Sequence, residues 1–458
     1  MSHTITEKPS FPPTWPAWWV QAKEAAYARF LKTPTPTRKN QDWRFANVQA
    51  LQIEAYQADL PINAAAREEI LSRSKPGFET CGEAVFGNDQ LLSLRTLPKE
   101  LSERGVIWEP LEVAALRYPD LVQKYWMQKE IALGSEKFAA LHAARCRSGT
   151  FLYLPKGIEI EKPLIAWHWL HGENASAFPH TLVVAEERSS ATLVDWFASA
   201  REDEPGFSCG LNDLYLSEGA SLTYVACQLY NDQTLNFQIN STEIGRDASA
   251  RTLFAGFGGS LNRLENEGIL AGQGARSEML ALSLADGKQE FDQRTLQRHA
   301  APNTWSDLLF KNALAGWSKS IFKGLIRVEP DAAQTDAYQT NRNLLLSPNA
   351  EADSMPGLEI LNDDVKCSHG AASGQLDEEL LFYMRTRGLT IPIAQKLLAI
   401  GFLSDVLERL KHPQIAEAIQ REIEARFARL KKDGEESISQ QALLQEEVER
   451  SPEAAAMP

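Results

Sequence analysis

The sequence predicts a mainly β protein with helical ends: a right-handed parallel β-helix (a β-solenoid) flanked by N- and C-terminal helical domains. Three observations predict it. From about Gly149 to Leu361, short β-branched and leucine-rich runs alternate with Gly, Asn, Asp and Ser clusters, and no amphipathic helix interrupts them. Within that zone a strand, a small-residue corner and a second strand recur, as in LVVAEERSSATLVDW, LYLSEGASLTYV and ILAGQGARSEMLAL. Helical periodicity appears only before and after it.

Aligning the corners at Ala191, Ala220, Ala248, Ala275, Asn303 and Ala332 gives steps of 29, 28, 27, 28 and 29, with a shorter step of 18 to Ala350. A fixed period in this range means units that bury their apolar faces against one another. The unit holds strands and turns only, which excludes helical solenoids. Small corners suit coils stacked at the strand spacing of about 4.8 Å. A β-sandwich would place strands every 8–12 residues or so, without similar corners.

The flanks divide the chain into an N-terminal domain over 1–148, the solenoid over 149–374, a C-terminal helical domain over 375–432 and an acidic tail over 433–458. In the first, Trp19, Ala26, Tyr27, Phe30 and Leu31 recur at helical spacing until Pro34 and Pro36. A second helical stretch spans 111–126 with a boundary at Tyr118-Pro119, and the segment between, with Pro76-Gly77, reads as mixed and loop-rich. In the third, LDEELLFYMRTRG closes on the capping Gly388, and Thr390 with Pro392 opens the next helix. Ile415, Ile419, Ile423, Phe427 and Leu430 then form one helical seam. The tail carries seven acidic residues against Arg450, the pattern of a solvated helix or a disordered segment.

With 47 Lys+Arg against 61 Asp+Glu, the net charge is 47 − 61 = −14, which argues against nucleic acid or an anionic membrane as the main partner. Cys81, Cys146, Cys209, Cys227 and Cys367 are odd in number, scattered and without a CxxC pair, as suits a reducing compartment. The start of the chain lacks a basic stretch followed by an apolar run, and Pro12, Pro13 and Pro16 interrupt it, so no signal peptide is expected. No run of 18 apolar residues occurs, so no membrane span is expected either, and the expected location is cytoplasmic.

Among chemical motifs, GxxxxGK[ST], GxSxG and HExxH are absent, so ATP hydrolysis is not expected of this chain alone. His168 and His171, three apart on a strand, would face opposite ways, and His299 stands alone, so structural roles suit all three. Cys367 and His369 are two apart and would share a strand face, where a thiolate and an imidazole can meet one metal. Two ligands do not close a site. Spacing alone therefore favours a strand end with a buried cysteine and a satisfied histidine, unless a second subunit completes the set. Asp363-Asp364 and Glu265-x-Glu267 supply carboxylate pairs for a polysaccharide-acting β-helix enzyme, which would need two carboxyls about 5–9 Å apart across one cleft.

Longer motifs carry a resemblance. AAQTDAYQTNRNLLLSPNAEADSMPGLEI, DDVKCSHGAASGQLDEELLFYMRTRG and GFLSDVLERL, with PTRKNQDWRF and FAALHAARCRSGTFLYLPKGIEIEKPL upstream, resemble the SufB/SufD family of iron–sulfur cluster assembly scaffolds over nearly the whole chain. KCSHGA and QDWRF side with the SufD branch, since the SufB branch carries His-Glu-Ala where this chain has His-Gly-Ala. His142 stands where the family commonly has Asn, and Ala372-Ser373 replace Thr-Val.

The resemblance implies a non-catalytic scaffold that pairs with a SufB-like protein along the β-helix. It also implies one copy of a SufC-like ABC ATPase bound through the C-terminal helices, with Phe382, Tyr383, Arg387, Gly388 and Phe402 in the docking region. Sulfur would come from a SufS/SufE system. A transient Fe–S cluster or iron at the shared interface would take His369 as a ligand, with Cys367 beside it. A flavin is compatible with such a complex and does not follow from these residues. A SufB-like homodimer remains the nearest alternative.

Overall fold

The structure, a computed structural model, describes residues 3–430; the acidic tail expected over 433–458 lies outside them. Two long sheets face each other across the solenoid. One holds, in hydrogen-bonded order, the parallel strands Gly206–Leu216, Leu235–Ile244, Leu261–Leu270, Glu290–His299, Lys319–Val328 and Glu351–Ile360. The other runs Leu164–Leu170, Ser190–Ser199, Ser221–Leu229, Ser249–Gly256, Arg276–Ala285, Trp305–Leu314, Thr335–Leu345 and Val365–Gln375. The chain alternates between the sheets, one strand to each per coil, so the expected parallel β-solenoid is present.

The register identifies the true corners. In-phase pairing of Ser190, Ser221, Ser249, Arg276, Trp305 and Asp336 sets the preceding residues in one file: Ser189, Ala220, Ala248, Ala275, Thr304 and Thr335. All six are buried. The sequence alignment therefore hits Ala220, Ala248 and Ala275 but misplaces Ala191, Asn303 and Ala332 by one to three residues. Hydroxyl residues occupy those corners because each can hydrogen-bond the turn it closes. Ser189 Oγ donates to the Glu186 carbonyl, Thr304 Oγ1 to that of Ala301 and Thr335 Oγ1 to that of Ala332. Ala350 precedes Glu351–Ile360 in the opposite sheet. The short step of 18 is a change of corner, not a short coil.

The interior is apolar at the N-terminal end, where Leu164, Leu193, Phe197, Leu222 and Tyr224 meet, and turns polar toward the other end. There Gln293 Nε2 donates to Asn312 Oδ1 (3.0 Å), Asn312 Nδ2 to Asn343 Oδ1 (2.8 Å), and Asn343 Nδ2 to Ser354 and Ser373 (3.2 and 3.1 Å). Pairing these amides satisfies groups that would each cost about 1–3 kcal/mol if buried alone.

The loop-rich N-terminal segment contributes more sheet than its composition suggests. Gly82–Gly87 and Gln90–Arg95 form a hairpin over Asn88 and Asp89, both at positive φ, and Gly82–Gly87 adds in parallel to Leu164–Leu170. Helix Ala17–Lys32 packs on helix Glu136–Arg145. The second helical stretch divides at Tyr118 into Leu111–Arg117 and Pro119–Tyr125, as the Tyr-Pro step predicts.

At the other end, helix Ile391–Arg409 and the helix over 413–430 lie on the outer face of the second sheet. The predicted seam of Ile415, Ile419, Ile423 and Phe427 is buried there with Leu403 and Val406 against Leu253, Leu280, Leu282 and Leu309. At about 1.5–3 kcal/mol per buried side chain, this layer is part of the fold and not an appendage. Among the described residues no helix is long and apolar enough to cross a membrane.

Candidate functional site

The last coil carries the Cys-x-His pair. Val365–Gln375 pairs in register with Thr335–Leu345, setting Cys367 opposite Ala337 and His369 opposite Gln339. Ala337 and Gln339 are buried while Tyr338 between them is exposed, so Cys367 and His369 share the inward face at the open end. The two therefore do lie on one face, as their spacing predicts. Cys367 is half-buried against Ile326, Val328, Ala332 and Ala337. Burial, with Asp336 nearby, pushes its thiol upward, so a metal would have to displace a proton from it. His369 is exposed. Beneath it, both side-chain amide atoms of Gln339 are buried without a hydrogen-bond partner among the described residues.

Among the described residues nothing covers this end. Val365–Gln375 and Glu351–Ile360 are edge strands, and Tyr338, Leu358, Ile360 and Leu361 stand exposed around them. Unpaired backbone beside apolar side chains is a template for pairing with another chain.

The residues expected to dock an ATPase divide. Asp377 caps helix Glu378–Thr386, its Oδ1 accepting from the backbone of Glu379 (2.8 Å) and Leu380 (3.3 Å). That helix exposes Phe382 (66%) and Tyr383 (55%), and Leu380, Ile391, Ile393 and Leu397 extend the apolar surface. Arg387 lies over the Tyr383 ring at 5.1 Å and donates to its hydroxyl (3.2 Å). Gly388 ends the helix at φ +88°, where a side chain would be strained. Phe402 points the other way, toward the solenoid. Its ring lies under Lys311 Nζ at 4.7 Å, and its carbonyl accepts from that ammonium (2.9 Å).

The other sequence candidates are accounted for locally. His168 stacks between Phe86 and Phe197, and His299 is held by Thr304 (2.7 Å) and Ser306 (2.8 Å). Glu265 Oε1 accepts from Arg263 (2.9 Å) and Ser135 (2.6 Å), and the whole side chain is buried, so it faces no cleft. Asp363 and Asp364 are exposed in the turn between the last two strands.

One cluster lies outside the sequence candidates, although the four-residue spacing of His142 and Cys146 on one helix face is a signal for two of its three members. His142 and Cys146, at the end of helix Glu136–Arg145, meet His180 at the start of His180–Ala185, and their donor atoms lie within 4.8 Å of one another. All three are buried, and this group can hold a metal ion. His142 and His180 are 38 residues apart, so only the docking of helix on sheet brings them together.

Comparison with known proteins places this geometry. Residues 168–402 match the SUF system FeS cluster assembly, SufBD core domain, and residues 16–165 match the SufBD protein N-terminal region. The chain belongs to the SufBD family. This SufBD chain is 28% identical over 420 residues to the iron–sulfur cluster assembly protein SufD of Bacillus subtilis, covering 89% of this chain and 94% of that one. It is 26% identical over 314 residues to SufB of the same organism, covering 69% and 67%. A SufBD family protein of Staphylococcus epidermidis is 25% identical over the same length. The core-domain match runs from within strand Leu164–Leu170 to residue 402, inside helix Ile391–Arg409, so the open mouth with Cys367 and His369 lies within the matched SufBD core.

Proposed function

We propose that this chain is the SufD-type, non-catalytic scaffold of a cytoplasmic SufB/SufC/SufD assembly that builds nascent iron–sulfur clusters. The observation that carries this reading is coverage. The likeness to a SufD runs through 94% of that protein, whereas the likeness to a SufB stops at 67%. In this reading the exposed edge strands Glu351–Ile360 and Val365–Gln375 pair with a SufB-like partner, which completes the ligand set that Cys367 and His369 begin. Neutral imidazole is a competent iron ligand, and the exposed His369 meets the partner directly, while Cys367 plays the lesser part. The exposed faces of Glu378–Thr386 and Ile391–Arg409, led by Phe382 and Tyr383, receive a SufC-like ABC ATPase that supplies hydrolysis. Sulfur arrives from a SufS/SufE-type donor through the partner.

Affinity purification of the tagged chain from its own cells tests the reading. A SufB-like protein and an ABC ATPase should accompany it stoichiometrically. Recovery as a partnerless monomer would contradict it, and recovery as a homodimer that builds clusters with the ATPase alone would move it to the SufB type.

A further inference from the structure

The buried His142–His180 pair leaves one ring nitrogen, among the described residues, without a hydrogen-bond partner. His142 Nδ1 lies 2.7 Å from the Cys209 carbonyl, which can only accept, so this nitrogen carries the ring proton. Full burial keeps the ring neutral, so Nε2 is left as a lone pair. His180 Nδ1, 3.0 Å away, must then donate to it. That strips His180 Nε2 of its proton, and Nε2 lies 3.6 Å from Asp213 Oδ2. With Asp213 ionised, two acceptors face each other; burial raises the Asp213 carboxyl in answer, against the pull of Lys129, and at 3.6 Å Nε2 stays without a hydrogen-bond partner among the described residues.

A cation among the three donors removes the conflict. His180 would turn its Nδ1 lone pair to the ion and carry its proton on Nε2, aimed at Asp213. Each histidine would then hold a backbone carbonyl or a carboxylate on the nitrogen away from the metal, the support that zinc-binding histidines have. The 3.0 Å between the two nitrogens is close to the ligand–ligand edge, about 3.3 Å, of a tetrahedron with zinc–nitrogen bonds of about 2.0–2.1 Å. The third donor is a thiol, which selects zinc over magnesium or calcium.

We propose that His142 Nε2, His180 Nδ1 and Cys146 Sγ form a zinc site that staples the N-terminal helices to the solenoid, a site separate from the mouth at His369. The fourth position of the ion is left to water. Binding releases the Cys146 proton to solvent, and the thiolate with ionised Asp213 balances the two charges of the ion. Charged groups that act on the site are Lys23, which donates to the Ala143 and Cys146 carbonyls, Asp89 and Glu112, which act on Cys146, and Lys129, which lies beside Asp213. Lys23 disfavours the ion, Asp89 and Glu112 favour it, and Lys129 holds the Asp213 carboxylate against the larger effect of burial, so the balance rests on the thiolate forming.

The test uses the full chain carrying Cys367→Ala and His369→Ala, so that the mouth contributes no metal. It is produced in zinc-supplemented medium, dialysed against a mild chelator and assayed by elemental mass spectrometry. About one zinc per chain is expected. His142→Asn, Cys146→Ser and His180→Gln should each abolish it with circular dichroism unchanged, and Asp213→Asn should weaken zinc binding about 10- to 100-fold. Should those variants fail to fold, cobalt(II) loaded into the otherwise unaltered chain decides. Tetrahedral visible bands with a thiolate charge-transfer band support the site. A zinc-free chain without that band, in which a protonated Asp213 hydrogen-bonds His180, overturns the proposal, as does zinc retained by all three ligand variants. Neither result depends on whether the chain pairs with SufB, which the co-purification decides.

Discussion

His369 stands in register over Gln339 across the strands Thr335–Leu345 and Val365–Gln375, the histidine exposed and the glutamine 1% exposed with neither amide atom paired among the described residues. A buried amide left unpaired costs about 1–3 kcal/mol. Gln339 lies directly beneath the exposed His369, so in the proposed reading that cost serves the cluster site. Gln339→Met should therefore stabilise the isolated chain by about 1–3 kcal/mol in urea titrations, yet slow cluster assembly in the complex. Loss of stability with assembly unchanged would make Gln339 a purely structural residue.

The two faces of the C-terminal helices should separate cleanly. Phe382→Ala and Tyr383→Ala remove exposed side chains and should leave the unfolding midpoint within about 0.5 kcal/mol of the parent while weakening ATPase binding at least tenfold by calorimetry. Leu403→Ala opens a cavity in the layer over Leu280 and Leu309 and should cost about 2–5 kcal/mol. The same burial means that cutting the chain at Gln375 would uncover the outer sheet, so point variants are the sounder probe of docking.

Much of this architecture is legible in the sequence because a solenoid repeats its constraints. Ala220, Ala248 and Ala275 mark the period, and strand alternation alone sets Cys367 and His369 on one face. Three corners escape because Ser189, Thr304 and Thr335 meet the steric demand with hydroxyls that the turn also bonds. The hairpin at Gly82–Gly87 escapes because its sheet partner lies some 80 residues downstream. His142 and His180 meet only through tertiary packing, and Phe402 faces inward where it packs on the apolar layer under Lys311, a tertiary contact that helix spacing alone does not assign.

Acid stability should depend on His299. Burial lowers its pKa to about 4, against about 6.5 when unfolded, so between those values the unfolded chain binds a proton that the native chain does not. Stability from this group is complete above about pH 6.5 and falls as pH drops toward 4. From pH 7 to 5 it contributes a loss of about 2 kcal/mol. His299→Gln should flatten the fall by that amount in urea titrations at the two pH values, whatever it does to absolute stability; an unchanged slope would mean that His299 protonates freely in the fold.

Close backbone approach can be tested at two glycines. A Cβ at Gly258 would come within 1.6 Å of the Tyr230 carbonyl oxygen, whereas one at Gly370 meets nothing within 4 Å. Gly258→Ala should cost at least about 1–3 kcal/mol and Gly370→Ala close to nothing in the isolated chain. Equal effects would mean that the coil spacing at Tyr230 is looser than described.

The central claim is that His369 serves a cluster built on a shared scaffold. Anaerobic cluster formation on the purified SufB/SufC/SufD complex, followed by visible absorption with gel filtration as the integrity check, tests it most directly. The His369→Ala complex should elute intact and form at most about a tenth of the wild-type cluster, a loss of at least about 1.4 kcal/mol in assembly. Cys367→Ala should fall less. Wild-type cluster formation by the intact His369→Ala complex would contradict the account.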